Sequence, residues 1–148
     1  MISLFGFSPR LGRLPGPIHQ IDGIAHCIPE SVGERLATLA EHFELVWASG
    51  WEERANDHLP YLLKLPFREL PFLTFDGRAV FGSAHWKVDA IDHYAGDRPA
   101  AWIDDNLNAD CYRWAETRAA PTLLVETSPS VGLTDEHVSE LVSWAERL

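Results

Sequence analysis

The chain has 148 residues, of which 46% are hydrophobic and 23% charged, a composition typical of one globular domain with a buried core. Its formal net charge is −10 and it has no cluster of Lys and Arg, which argues against a nucleic-acid partner. It also has no apolar run of membrane-spanning length, no signal-peptide pattern and no CxxC motif around Cys27 or Cys111. We therefore expect a cytoplasmic protein with reduced thiols and no membrane partner.

The first predicted element is a β-hairpin over residues 18–28. Asp22-Gly23 separates two short apolar runs, and this dipeptide is a strong hairpin signal. His19, Asp22 and His26 raise the alternative of a metal site, which we do not favour because Asp22 is needed for the turn. Ahead of the hairpin, residues 1–7 are apolar from the start, as if the chain began inside an element.

Helices and strands alternate after the hairpin. Predicted helices cover residues 31–42, 52–63, 85–94, 109–118 and 134–145, and predicted strands cover residues 43–48, 72–75, 100–104 and 122–125. Ser31 with Glu34 has the pattern of a capping box, and Thr134 is a predicted N-cap. The alternation is typical of a Rossmann-like three-layer α/β/α sandwich with a mostly parallel sheet. We expect residues 1–148 to form one such domain, with the hairpin as an insertion.

Two adjacent carboxylates, Asp104 and Asp105, follow the predicted strand over residues 100–104. Ligands of open α/β sheets bind beyond the carboxyl ends of the strands, and a hard cation relieves the repulsion between neighbouring carboxylates. This pattern predicts a Mg²⁺ site. The alternative is that the two residues cap the helix that follows, because Asp favours N-cap positions.

Two further segments bear on the same chemistry. Ser49 and Gly50 follow a predicted buried strand and precede a helix, an arrangement that offers a hydroxyl and backbone N–H groups to an anion. Lys87 lies in the first turn of a predicted helix, where a positive charge is unfavourable unless it faces an anionic ligand or the acidic pair. Ser49 and Gly50 are candidates to bind an anion, although a common strand-to-helix turn and a solvated surface lysine are the alternative explanations of the two segments.

The order of these segments resembles the haloacid dehalogenase-like (HAD) superfamily, and in particular a small bacterial subgroup of it. The matching motifs are Leu45-Val46-Trp47-Ala48-Ser49-Gly50-Trp51, His85-Trp86-Lys87 and Trp102-Ile103-Asp104-Asp105. The resemblance implies a HAD-like fold and a Mg²⁺-dependent phosphohydrolase that works through an aspartyl-phosphate. It also implies that Ser49 and Gly50 bind the phosphoryl group, that Lys87 neutralises it, and that Asp104 and Asp105 hold the metal. The substrate would be a small phosphorylated molecule or a phosphorylated macromolecule.

One motif of the family has no counterpart in the sequence. The family's Asp-x-Asp-Gly motif ends its first, central strand and supplies the nucleophile, whereas Gln20 stands where the first Asp would be beside Asp22-Gly23. In the subgroup this motif runs directly into a segment like residues 2–7. We therefore expect the first core strand to be missing or partial, the catalytic Asp to lie ahead of Met1, and the 148-residue chain to be inactive or nearly so. We also expect that residues 1–7 partly fill the slot of this strand or that the isolated chain is unstable.

Two other classes of protein share parts of this pattern. A non-catalytic ligand-binding or interaction protein that retains the HAD-like fold is the main alternative, and Mg²⁺-dependent hydrolysis of an aryl phosphate distinguishes it from an enzyme. A response-regulator-like receiver domain is less consistent with the sequence, because its acidic pair follows the first strand, whereas Asp104 and Asp105 lie late in the chain.

Overall fold

The computed structural model of the chain describes residues 2–4, 14–76 and 83–148. Its regular elements are β1 (Ile18–Ile21), β2 (Ile24–Cys27), α1 (Ser31–Leu39), α2 (Ala55–Leu62), α3 (Val88–Ala95), β3 (Ala100–Asp104), α4 (Ala109–Thr117), β4 (Thr122–Glu126) and α5 (Asp135–Ala145). Short 3₁₀ turns at Glu52–Arg54 and His85–Lys87 lead into α2 and α3. None of the helices in these ranges is both long enough and apolar enough to cross a bilayer.

The predicted hairpin is confirmed. β1 and β2 pair antiparallel, with Ile21 opposite Ile24. Asp22 and Gly23 have φ values of 53° and 79°, as a type I′ turn requires, and a glycine adopts this conformation without strain. Arg54 donates a hydrogen bond to the Asp22 carboxylate and thereby ties the turn to the segment that leads into α2.

A parallel sheet is also confirmed. β3 pairs with β4 in a register that runs from Ala100 opposite Thr122 to Asp104 opposite Glu126. Trp102 packs in a cluster with residues of α3 and α4, whereas Ala101 and Ile103 pack against the cluster formed by α1, α2 and α5. β3 is therefore covered by apolar side chains on both faces, as buried parallel strands are.

The predicted strands at residues 43–48 and 72–75 are not regular strands. Among the described residues, these two segments are joined by a single parallel bridge between Trp47 and Phe72. A regular strand needs a hydrogen-bonded neighbour along its length. In the part of the chain that the structure describes, a cleft rather than a strand lies between residues 45–48 and β3. The chain contains the parallel sheet of an α/β domain, while the full three-layer arrangement stays a prediction.

The side chain of Asn56, in α2, positions the segment that contains Trp47. Asn56 Oδ1 accepts hydrogen bonds from Trp47 Nε1 at 2.8 Å and from the backbone N–H of Leu70 at 3.0 Å. Its Nδ2 donates to the carbonyl of Leu70 at 2.9 Å. One amide side chain thus links α2 to Trp47 and to Leu70, which lies two residues ahead of Phe72, the bridge partner of Trp47.

The predicted cap of the last helix is confirmed, but the one at Ser31 is wrong. Ser31 is the first residue of α1, its N-cap is Glu30 without a side-chain bond, and the Ser31 hydroxyl instead accepts from Arg35. Thr134 Oγ1 accepts from the N–H of His137 at 3.4 Å, and the Thr134 N–H donates to His137 Nδ1 at 3.1 Å. The second pair closes a reciprocal box at the start of α5.

Replacing Thr134 by alanine is expected to lower the free energy of unfolding by about 1 kcal/mol, because the first turn of α5 loses its side-chain acceptor. Urea denaturation of the two proteins measures the difference. Thr38→Ala is the matched control, since the Thr38 hydroxyl bonds only to a carbonyl within α1 and is exposed. An equal loss in both variants would contradict a capping role for Thr134.

Candidate phosphate and metal site

A cleft of about 750 Å³ separates residues 45–49 from β3 and contains all the predicted site residues. Its lining includes Ser49, Gly50, Lys87, Asp104 and Asp105. Ser49 and Gly50 follow the segment that contains Trp47, Asp104 ends β3, and Lys87 immediately precedes α3. The fold therefore brings residues that are far apart in sequence together at one end of the cleft. The opposite end is lined by Glu44 and Arg98, which form an exposed ion pair at 2.7 Å.

Lys87 and Asp104 form a largely buried ion pair. Lys87 Nζ lies 2.6 Å from Asp104 Oδ2, and the two side chains are only 14% and 7% exposed. This contact explains why a lysine is tolerated at the start of α3, since its charge is neutralised by the carboxylate rather than by solvent. Lys87 Nζ also lies 5.5 Å from the centre of the Trp86 ring, within the range of a cation–π interaction.

The second oxygen of Asp104 organises the turn that follows β3. Asp104 Oδ1 accepts the N–H groups of Asp105 at 2.9 Å and Asn106 at 3.1 Å. The N-cap of α4 is Asn108, whose side chain accepts from the N–H groups of Asp110 and Cys111. The alternative interpretation of Asp104 and Asp105 as the cap of this helix is therefore wrong.

Ser49 and Gly50 form the turn on the other side of the cleft. Ser49 Oγ accepts from the N–H of Trp51 at 3.2 Å, and the Ser49 carbonyl accepts from the N–H of Glu52 at 2.9 Å. A Cβ added to Gly50 would meet only the Trp86 side chain, at an ordinary contact distance of 3.8 Å. Lack of space for a side chain therefore does not explain the glycine at this position.

His26 also lines the cleft, which the sequence analysis did not predict. Its Nδ1 lies 3.0 Å from Ser3 Oγ and its ring packs edge-on against Trp51, with the ring centres 5.1 Å apart. Burial lowers the pKa of His26 below its usual value, and Asp22 opposes this shift. The register places His19 opposite His26, but the described ranges contain no cluster of three or more His, Cys, Asp or Glu residues that could hold a metal. The signal that was available is the antiparallel register, which predicts this cross-strand pair.

The carboxylates of Asp104 and Asp105 are ligands of the kind that Mg²⁺ prefers. Mg²⁺ is commonly bound through one or two carboxylates, with water and phosphate oxygens as the remaining ligands. Asp104 and Asp105 supply two carboxylates at the cleft, and Asp104 uses its oxygens for Lys87 and two N–H groups as well. Within the described ranges, the two carboxylates are not part of a group of three or more His, Cys, Asp or Glu residues.

The geometry defines an α/β domain with a lysine, a small hydroxyl residue and an acidic pair gathered beyond the carboxyl ends of parallel segments. The chain belongs to the family described as the HAD domain in Swiss Army Knife RNA repair proteins, whose profile matches residues 16–138. This confirms the HAD resemblance and with it a Rossmann-like α/β fold. No curated protein and no solved structure matches the chain.

Proposed function

We propose that this domain is the phosphate- and metal-binding part of a Mg²⁺-dependent phosphohydrolase. Its substrate carries a terminal phosphate monoester, and the protein is cytoplasmic. The observation that carries the proposal is the buried Lys87–Asp104 pair, which shares one cleft with Ser49 and Asp105. A buried ion pair contributes little to stability by itself, so its place in a concave site favours a functional role.

Each residue has a distinct role in this proposal. The Ser49 hydroxyl and the Gly50 N–H hold the phosphoryl oxygens, and the Lys87 ammonium neutralises their charge. Asp104 orients Lys87 through the 2.6 Å contact and, with Asp105, holds the metal. When bound, Mg²⁺ acts as a Lewis acid that stabilises the negative charge of the transferring group.

The nucleophile in this proposal comes from outside residues 1–148. Three acidic residues line the described part of the cleft, and Glu44 lies at the far end beside Arg98. Asp104 is bonded to Lys87, and Asp105 is assigned to the metal. In the family pattern, an Asp-x-Asp motif supplies the attacking carboxylate that forms an aspartyl-phosphate, so the chain on its own is expected to be inactive.

The substrate class follows from the family and the charge. The family's domain occurs in RNA repair proteins, which makes a phosphorylated RNA end one candidate. A net charge of −10 disfavours contact with a long polynucleotide backbone. We therefore propose that the site recognises the phosphate monoester itself, whether on a small molecule or at the end of a macromolecule.

The test is hydrolysis by the chain extended at its amino end with the upstream reading frame. We expect EDTA-sensitive release of phosphate from p-nitrophenyl phosphate or from an end-phosphorylated oligoribonucleotide, and none from the 148-residue chain. Ser49→Ala in the extended protein is expected to lower the rate by about 10²-fold, because one phosphoryl donor is lost. Asp110→Asn, on the exposed side of α4, is the matched control.

Two results would contradict the proposal. A folded extended protein that contains Asp-x-Asp but hydrolyses neither substrate would favour a non-catalytic binding protein. An upstream frame that encodes no Asp-x-Asp would remove the proposed source of the nucleophile.

A further inference from the structure

The short segment that ends in Lys87 lies against the turn that follows β3. Lys87 Nζ bonds to Asp104 Oδ2 at 2.6 Å, and the backbone N–H of Ala84 donates to the carbonyl of Asn106 at 2.9 Å. The Lys87 N–H in turn donates to the Ala84 carbonyl at 3.0 Å, within the 3₁₀ turn. The position of the Lys87 backbone therefore depends on how this segment is held against the turn after β3.

A third contact joins the two segments at the end farther from Lys87. Asn108 Nδ2 donates to Ser83 Oγ at 2.7 Å, and Ser83 Oγ lies 2.6 Å from His85 Nδ1. Ser83 and Asn108 are partly buried, whereas His85 is exposed. None of these three residues lines the cleft, so any effect they have on the candidate site passes through the segments that they join.

The other atom of the Asn108 amide fixes the direction of these hydrogen bonds. Asn108 Oδ1 accepts from the backbone N–H groups of Asp110 and Cys111, at 3.1 and 3.2 Å. The Nδ2 donor is therefore the atom that faces Ser83. Because the Ser83 oxygen accepts from this amide, its own proton is directed to His85 Nδ1, which accepts it. The chain of donors runs from Asn108 through Ser83 to His85.

We propose that Ser83, His85 and Asn108 are positioning residues for the lysine of the candidate site. Their hydrogen bonds hold the 3₁₀ turn where the Lys87 ammonium reaches Asp104. Both members of that ion pair are largely buried, so a displacement of the turn leaves a buried carboxylate without its partner. The further step, that the positioned ammonium serves a phosphoryl group, rests on the proposed function, whereas the positioning itself does not.

The lysine content of the chain provides a direct readout of this positioning. Lys87 and Lys64 are the only lysines in the sequence, and their side chains are 14% and 78% exposed. Reductive dimethylation with formaldehyde modifies lysine amines, and peptide mass spectrometry gives the rate at each one. In the 148-residue chain, the ratio of the Lys87 rate to the Lys64 rate reports how often the buried ion pair opens.

Ser83→Ala is expected to raise this ratio about fivefold, because one hydrogen bond no longer opposes the opening. Ser83→Thr keeps the hydroxyl and is expected to stay near the parent ratio. Thr134→Ala is the matched control for a general loss of stability, since it weakens α5 and not the segment before α3. A Ser83→Ala ratio equal to that of the parent, of Ser83→Thr or of Thr134→Ala would overturn the inference.

Asn108→Asp tests the direction of the hydrogen bonds. It keeps the acceptor that caps α4 but replaces the donor that faces Ser83, so we expect the ratio to rise. Asn106→Asp adds the same charge to the same turn at an exposed position and keeps the carbonyl that bonds to Ala84. We expect it to leave the ratio unchanged, and equal ratios in the two variants would overturn the inference. This pair decides the question if Ser83→Ala does not fold.

His85→Leu and His85→Asn test the last member of the chain of donors. Leucine removes the acceptor of the Ser83 proton, whereas the Asn oxygen lies near the position of His85 Nδ1 and can accept it. We expect the ratio to rise in the leucine variant and to stay near the parent value in the asparagine variant. Equal ratios would overturn the assignment of His85 as a positioning residue.

Inorganic phosphate separates this inference from the proposed function. A phosphoryl site at Lys87 predicts that phosphate slows dimethylation of Lys87, but not of Lys64, in the parent chain. Absence of this protection would count only against the proposed function. A Ser83→Ala ratio equal to that of the parent would count only against the positioning, so the two proposals can fail separately.

Discussion

Replacing Lys87 by methionine is expected to lower the free energy of unfolding by about 3–5 kcal/mol. The substitution keeps the length of the side chain but leaves the Asp104 carboxylate, only 7% exposed, without its positive partner. A buried charge without compensation is among the costliest single defects in a folded protein. Urea denaturation monitored by tryptophan fluorescence measures the loss.

Two variants separate this effect from a general loss of charge. Arg113→Met breaks the exposed pair with Asp110, whose side chains are 70% and 54% exposed, and is expected to cost less than about 1 kcal/mol. The double variant Lys87→Met with Asp104→Asn removes the uncompensated charge and keeps an acceptor for the turn, so it is expected to recover part of the loss. A single variant no less stable than Arg113→Met would contradict the role of the buried pair.

Replacing Gly33 by alanine is expected to cost about 3 kcal/mol, at the upper end of the range for overpacked cores. Gly33 lies in α1, where a Cβ would come within 1.9 Å of the Leu63 carbonyl oxygen and 2.9 Å of its carbon. These are backbone atoms at the end of α2, so no side-chain rotation relieves the overlap, and α1 has to move away from Leu63. The melting temperature of the variant measures the effect.

Gly50→Ala is the matched control for Gly33→Ala. At Gly50 an added Cβ meets only the end of a side chain, at 3.8 Å. We expect this variant to stay within about 0.5 kcal/mol of the parent in stability. If the two variants melt at the same temperature, the close approach of α1 to Leu63 is not what requires Gly33.

Patterns that depend on local geometry could be predicted from the sequence. The Asp22-Gly23 turn and the Thr134 cap are settled by the few residues that form them, and both are confirmed. The resemblance to the HAD superfamily implied that Ser49, Lys87 and Asp104 belong to one site, and the structure places all three in one cleft. The direct contact between Lys87 and Asp104, 17 positions apart, depends on the packing of α3 and could not be read from either residue alone.

Predictions that depend on which element lies beside a segment were less successful. The run Phe43–Ala48 has the composition of a buried strand, yet only Trp47 is bridged among the described residues. Apolar composition reports that a segment is buried but not whether a second strand lies beside it to accept its hydrogen bonds. The sequence also raised the acidic pair as the cap of α4, whereas the N-cap is Asn108. The Asp104 carboxylate instead bonds to Lys87 and to the turn after β3.

The amide of Asn56 joins one wall of the cleft to the neighbouring helix. Because it bonds to Trp47 and to both backbone groups of Leu70, one wall of the cleft is attached to α2. The segment ahead of α2 is in turn attached to the hairpin through Arg54 and Asp22. The wall, the helix and the hairpin are thus joined by hydrogen bonds, so the wall cannot shift relative to β3 and β4 without carrying α2 and the hairpin with it or breaking these bonds.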